Sequence, residues 1–123
     1  MTPMTPENVA EAKAKVRAIT PEEASRLDGV VFLDVREPSE VAASGKVAGA
    51  LNIPRGLLDL LADPASPSRE AALDPGRTVV TYCGMGGRAA LAAARLKELG
   101  FTDVRHMGGF RDWAEKGMPV EKG

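Results

Sequence analysis

The chain has 123 residues, 44% of them hydrophobic and 27% charged, with a formal net charge of -1. That length points to one domain, and the balanced charge gives no overall attraction to nucleic acid or to an anionic membrane surface. No apolar run approaches the ~18 residues of a membrane span. The first residues lack a signal peptide's basic start and apolar middle, so the expected location is cytoplasmic.

Thr5-Pro6-Glu7 reads as a helix start, with Thr as N-cap and Pro at the first helical position. Val9, Ala12 and Val16 space a surface helix from Pro6 to about Arg17. Thr20-Pro21-Glu22-Glu23 opens a second helix, because Glu23 stands three residues after Thr20 as a capping box requires. It is expected to stop near Asp28-Gly29. Val30 to Leu33 is an unbroken apolar run ending at Asp34, the pattern of a strand buried on both faces of a parallel sheet. A short helix is expected from Glu37-Pro38 to Gly45, a brief strand over Ala50 to Ile53, and a helix over Leu57 to Leu61. Residues 63–76 read as loop, with a helical turn near Arg69 to Leu73. Thr78 to Tyr82 is the clearest strand and runs directly into Cys83. Arg88 to Leu99 is the clearest helix, capped by Gly100; Arg95 interrupts its apolar face and is expected to reach for water. A strand over Val104 to His106 and a helix over Gly109 to Lys116, carrying Trp113, complete the series. Strands alternating with helices argue for an α/β fold with a mostly parallel sheet of about five strands flanked by helices.

Cys83 is the only cysteine and His106 the only histidine. An internal disulfide, a CxxC redox pair and a multi-cysteine zinc site are therefore excluded. The chemistry concentrates in Cys83-Gly84-Met85-Gly86-Gly87-Arg88, where a buried strand passes through a glycine-rich turn into a helix. Ligands of open α/β sheets bind at this strand edge. Glycines let the backbone curl so that successive N–H groups converge as an anion-binding nest. The following helix adds the positive end of its dipole. A cysteine acts as a nucleophile through its thiolate, and these donors, with Arg88, are what stabilise a thiolate. A buried structural cysteine needs none of them. Asp34 and Arg36 follow the preceding strand on the same edge. They brace the active loop or attract a ligand in one reading, and form a structural ion pair in the other.

Residues 19 to 120 resemble a single-domain rhodanese, a sulfurtransferase with a three-layer sandwich fold. Thr20 to Ala24 resembles the family's opening helix, Phe32 to Glu40 its first signature, and Gly45 to Pro54 its second. Cys83 to Arg88 resembles the catalytic loop, and Gly108 to Trp113 with Gly117 to Val120 the closing motif. Residues 19–123 are thus read as the rhodanese-like domain, and 1–18 as a helical extension that the resemblance does not explain. Lys46 stands where the family usually has histidine, Ala89 where Ser or Thr is frequent, and Gly84 where a basic side chain is common.

The resemblance implies transfer of a sulfane sulfur from a donor such as thiosulfate to Cys83, held as a persulfide, and on to a thiophilic acceptor: cyanide, a thiol or a sulfur-relay protein. The N–H groups of residues 84–88 would stabilise the persulfide anion, and Arg88 would bind the donor. No metal and no organic cofactor is implied. Phosphatases and arsenate reductases of the same fold place five residues between Cys and Arg, whereas four separate Cys83 from Arg88. Non-catalytic docking modules of the family commonly lack the cysteine that this chain keeps.

Overall fold

The computed structural model describes residues 2–123, so that Met1, the first residue of the expected extension, lies outside the described part. Five parallel strands form the central sheet. In chain order they are β1 (Arg17–Ala18), β2 (Val31–Asp34), β4 (Leu51–Asn52), β5 (Thr78–Cys83) and β6 (Asp103–Gly109), and their spatial order is β1-β6-β5-β2-β4. Two further strands, β3 (Lys46–Val47) and β7 (Val120–Glu121), pair antiparallel as a separate ribbon. The helices are α1 (Pro6–Lys15), α2 (Pro21–Ser25), α3 (Pro38–Ser44), α4 (Leu58–Ala62), α5 (Gly87–Glu98) and α6 (Phe110–Glu115).

The middle strand, β5, is buried along nearly its whole length, and its alternation builds two cores. Val79 and Cys83 face one core, with Leu33, Leu58, Leu73, Leu96 and Val104. Val80 and Tyr82 face the other, with Ala24, Met107, Phe110 and Trp113. Helices α4 and α5 therefore cover one face and α2 and α6 the other, the three layers of an α/β sandwich. Each fully buried Leu or Val contributes about 1.5–3 kcal/mol. Cys83 thus shares a face with the helix that begins just after it. Trp113 is core, edge-on to Phe32 at 5.3 Å, with Nε1 donating to the Pro119 carbonyl at 2.8 Å.

Local chemistry explains where elements start and where they stop early. Thr5 Oγ1 accepts from the Asn8 N–H at 3.1 Å, and Thr20 with Glu23 makes the full capping box. Helix α1 ends at Lys15, short of Arg17, because Val16 turns extended to bury its side chain and Arg17–Ala18 join β6. The outer face of α5 receives α1 through Ala12 against Ala90 and Leu91. Helix α2 stops at Ser25, where the Ser25 hydroxyl donates to the Glu22 carbonyl. Over Arg69 to Leu73 the chain makes one hydrogen-bonded turn, the Leu73 N–H donating to the Glu70 carbonyl at 3.0 Å, and no helix. Asp63, Ser66 and Asp74 accept from backbone N–H groups two residues on, which sets tight turns instead, and Leu73 anchors the segment in the core. Arg95 escapes the apolar face of α5 through a two-pronged pair with Asp59, at 2.8 and 2.9 Å.

Candidate active site

Cys83 ends β5 and is 1% exposed. The chain then turns through Gly84, Met85 and Gly86 before α5 begins. Gly86 carries φ +103 as the N-cap of α5, a left-handed conformation that favours glycine. That turn aims the Gly86 N–H at Cys83 Sγ, 2.8 Å away. The Ala89 N–H reaches the same sulfur at 3.4 Å. Gly87 and Arg88 open α5, where first-turn N–H groups have no intrahelical acceptor. The sulfur therefore lies at the positive end of a helix of 12 residues with two donors aimed at it. Ala89 falls outside the 84–88 span expected to supply those donors. Its place in the first helical turn, where N–H groups are unpaired, was the available signal.

Close approach of another strand shapes the loop. Gly109 pairs with Cys83 across β5 and β6, and a Cβ at Gly109 would run into the Gly84 carbonyl. This is why β6 continues through Gly108-Gly109, beyond the expected end at His106. Met85, at the loop's tip, is 96% exposed.

Arg88 does not project freely over the loop. Its guanidinium donates to both carboxylate oxygens of Glu40, at 2.6 and 2.9 Å, and passes over Gly84, where a Cβ would lie 3.4 Å from Nη2. A Cβ at position 84 would thus just touch the guanidinium. The Arg88 hydrogen bonds, offset by burial and aided by the Glu37 N–H, bring the Glu40 carboxyl down to about 2. Glu40, the partner of Arg88, is the residue of this loop's surroundings that reading the sequence did not single out. It sits in the first turn of a helix that follows a strand ending on the active edge, and that position was legible.

Asp34 and Arg36 are not beside the thiol. Strand alternation turns Leu33 toward the core of Cys83 and Asp34 away from it. Asp34 is fully buried and accepts from Arg36 Nε at 3.0 Å and Nη2 at 2.7 Å. Arg36 also donates to Ser44 Oγ and the Gly45 carbonyl, each at 2.7 Å, and lies 4.6 Å over the Phe110 ring. The pair thus fixes the C-terminal end of α3, the helix whose N-terminal turn carries Glu40.

Two further cations lie on this edge. Lys46 is occupied by the Ala50 carbonyl at 2.9 Å and by Glu121 at 3.9 Å. Arg55 donates to the Thr2 carbonyl at 2.8 Å and pairs with no carboxylate among the described residues. Burial, and then the charge of Arg88, push the Arg55 pKa down, so the two guanidiniums feel one another.

A parallel sheet, a thiol ringed by backbone donors and an arginine closing the loop describe a known pattern, and the rhodanese-like domain profile matches residues 20–116. The chain belongs to the rhodanese-like domain family. Thiosulfate sulfurtransferase 16 of Arabidopsis thaliana is 32% identical over 100 residues, covering 77% of this chain and 82% of that one. Among solved structures, the polysulfide-sulfur transferase of Wolinella succinogenes superposes with a TM-score of 0.75 at 33% identity, covering 94% of this chain and 85% of that one. A Rhodopseudomonas palustris protein of unknown function, described as a possible tyrosine phosphatase, superposes at 0.85 and 33% identity, covering 93% and 91%. Among the described residues no helix is long and apolar enough to cross a membrane.

Proposed function

We propose that this rhodanese-like protein transfers a sulfane sulfur through a persulfide on Cys83. The observation that carries the proposal is the pair of N–H donors from Gly86 and Ala89 on one buried sulfur. In the first step the Cys83 thiolate attacks the outer sulfur of thiosulfate. The sulfur–sulfur bond of the donor breaks, its electron pair leaves with sulfite, and the outer sulfur stays on Cys83 as a persulfide anion. The donors then stabilise that anion, as an oxyanion hole does for oxygen. In the second step cyanide, a thiolate or a relay protein takes the outer sulfur, and the electron pair of the broken bond returns to Cys83 as thiolate. No oxidant or reductant is consumed. With one cysteine in the chain, the acceptor is external.

Glu40 neutralises Arg88 and orders the loop. Arg55, which pairs with no carboxylate among the described residues and feels the charge of Arg88, is the cation for the anionic end of the donor. Asp34 and Arg36 act at a distance, by holding α3. The domain proper is residues 19–123, and a reducing compartment such as the cytoplasm suits a free thiol. Thiocyanate formation from thiosulfate and cyanide tests the proposal. Turnover is expected with the native chain and lost in Cys83→Ser; turnover surviving in that variant contradicts it. Hydrolysis of an aryl phosphate is expected to be absent, since four residues, not five, lie between Cys83 and Arg88.

A further inference from the structure

One cavity beside the catalytic loop takes no part in that scheme. It has a volume of about 240 Å³, and its walls include Lys13, Ile19, Met85, Gly86, His106 and Met107. Gly86 is common to this wall and to the reactive sulfur, since its N–H donates to Cys83 Sγ. His106 is 6% exposed, and its Nε2 is buried with no hydrogen-bond partner among the described residues. Leaving such an atom unpaired forfeits its hydration, which a ligand able to pair with it recovers. Burial first, and then the nearby charge of Lys13, push the His106 pKa down.

Lys13 supplies the charge. It is exposed on the last turn of α1, and no carboxylate pairs with it among the described residues. No carboxylate lines the cavity either. The other walls are Ala18, Ile19, the backbone of Gly86 and Gly108, and two methionines, whose thioethers make favourable contacts with polarizable groups. The volume is below the ~300 Å³ at which pockets for drug-sized ligands begin, which fits a ligand of amino-acid size. Lys13 also lies outside the residues that match the family profile, so this wall comes from the N-terminal helix.

We propose that this cavity binds the sulfur acceptor as a small thiol bearing a carboxylate, with Lys13 holding the carboxylate beside the Cys83 loop. The proposal rests on the persulfide reading above. The acceptor's thiol gives its proton to water, and the resulting thiolate attacks the outer sulfur. The bond from that sulfur to Cys83 Sγ breaks, its electron pair stays on Cys83, and the acceptor leaves as a persulfide.

Lys13 is exposed, so Lys13→Glu changes the charge without disturbing the core. The protein is loaded with thiosulfate, desalted, and discharged with mercaptopropionate or with the neutral mercaptoethanol, and the persulfide is followed by intact mass. Because loading precedes the measurement, an effect on the donor does not enter. In Lys13→Glu the half-saturating concentration of mercaptopropionate is expected to rise roughly five- to tenfold relative to that of mercaptoethanol. An unchanged ratio overturns the proposal. A second arm needs no persulfide: unreactive methylthiopropionate should shift the amide resonances of Met85, Gly86 and His106 in the native protein and not in Lys13→Glu. Shifts confined to the Arg55 and Arg88 side would assign the carboxylate to the donor's site and overturn it. Binding of the thioether to a protein that takes no sulfur from thiosulfate would keep the carboxylate site and remove the transfer reading.

Discussion

Arg88 meets Glu40 through two parallel hydrogen bonds, 2.6 Å from Nη1 to Oε1 and 2.9 Å from Nη2 to Oε2. This pair ties the first turn of α5, which follows Cys83, to the first turn of α3. At the other end of α3 the buried Asp34–Arg36 pair clamps Ser44 and Gly45. The two ion pairs therefore act in series, from the end of β2 through α3 to the loop around Cys83. Arg88 is the geometric closure of the loop rather than an unopposed charge.

Arg88→Lys tests that role. A lysine keeps the charge but cannot make the two-pronged contact. Both pair members are partly exposed, with side-chain exposures of 27% and 39%, so the stability lost should be about 1 kcal/mol or less. Turnover with thiosulfate should fall well beyond what that small loss explains. Urea melts beside steady-state kinetics separate the two; full activity in Arg88→Lys would show that charge alone suffices.

Glu40 gives the fold a specific acid sensitivity. Its carboxyl is lowered from the ordinary 4.5 to about 2, chiefly by the Arg88 hydrogen bonds. A depressed carboxylate contributes stability that is fully present above the unfolded-state value and is lost as pH falls through the folded-state value. The Glu40 contribution should thus disappear between about pH 4.5 and pH 2. Urea midpoints across that window should fall less steeply in Glu40→Gln than in the native chain, at low salt, where exposed pairs are least screened. Parallel slopes would show that the pair does not contribute.

Arg55 is expected to carry the anionic end of the donor, since Glu40 occupies Arg88 while, among the described residues, the Arg55 guanidinium hydrogen-bonds only to the Thr2 carbonyl. Arg55→Gln should raise the KM for thiosulfate by roughly three- to tenfold, the size of a charge-assisted hydrogen bond weakened by solvent, with a smaller change in kcat. An unaltered KM would move donor binding elsewhere in the loop.

Gly109→Ala probes the backbone contact under the loop. Its Cβ meets the Gly84 carbonyl, and backbone cannot yield as a flexible side chain does. Overpacking of this kind costs about 1–3 kcal/mol. Because the displaced residue adjoins Cys83, activity should fall further than stability at a temperature where the variant is folded. Equal losses would mean that the strain is absorbed away from the loop.

The long buried elements were legible in the sequence. Thr78 to Cys83 and the helix from Gly87 declare themselves by unbroken burial and by helical spacing, and the capping box at Thr20 and Glu23 forms as its spacing requires. The two-residue strands β1, β3 and β7 were not, because periodicity needs more residues than these supply and each exists only through its partner. The helix start that carries Glu40 was legible, but its pairing was not. Its link to Arg88 spans 48 positions, and only the parallel order of β2 and β5 brings the two helix starts together. The placement of Asp34 and Cys83 on one sheet edge was readable; their opposite faces follow from register, which the sequence does not display.

The most direct test is the mass of the intact protein after incubation with thiosulfate and removal of the excess. A gain of one sulfur atom is expected, carried on Cys83, absent in Cys83→Ser and released by cyanide as thiocyanate. An unchanged mass for a chain whose thiol is shown to be free and reactive, with thiosulfate and with other sulfane donors in turn, would contradict the persulfide reading.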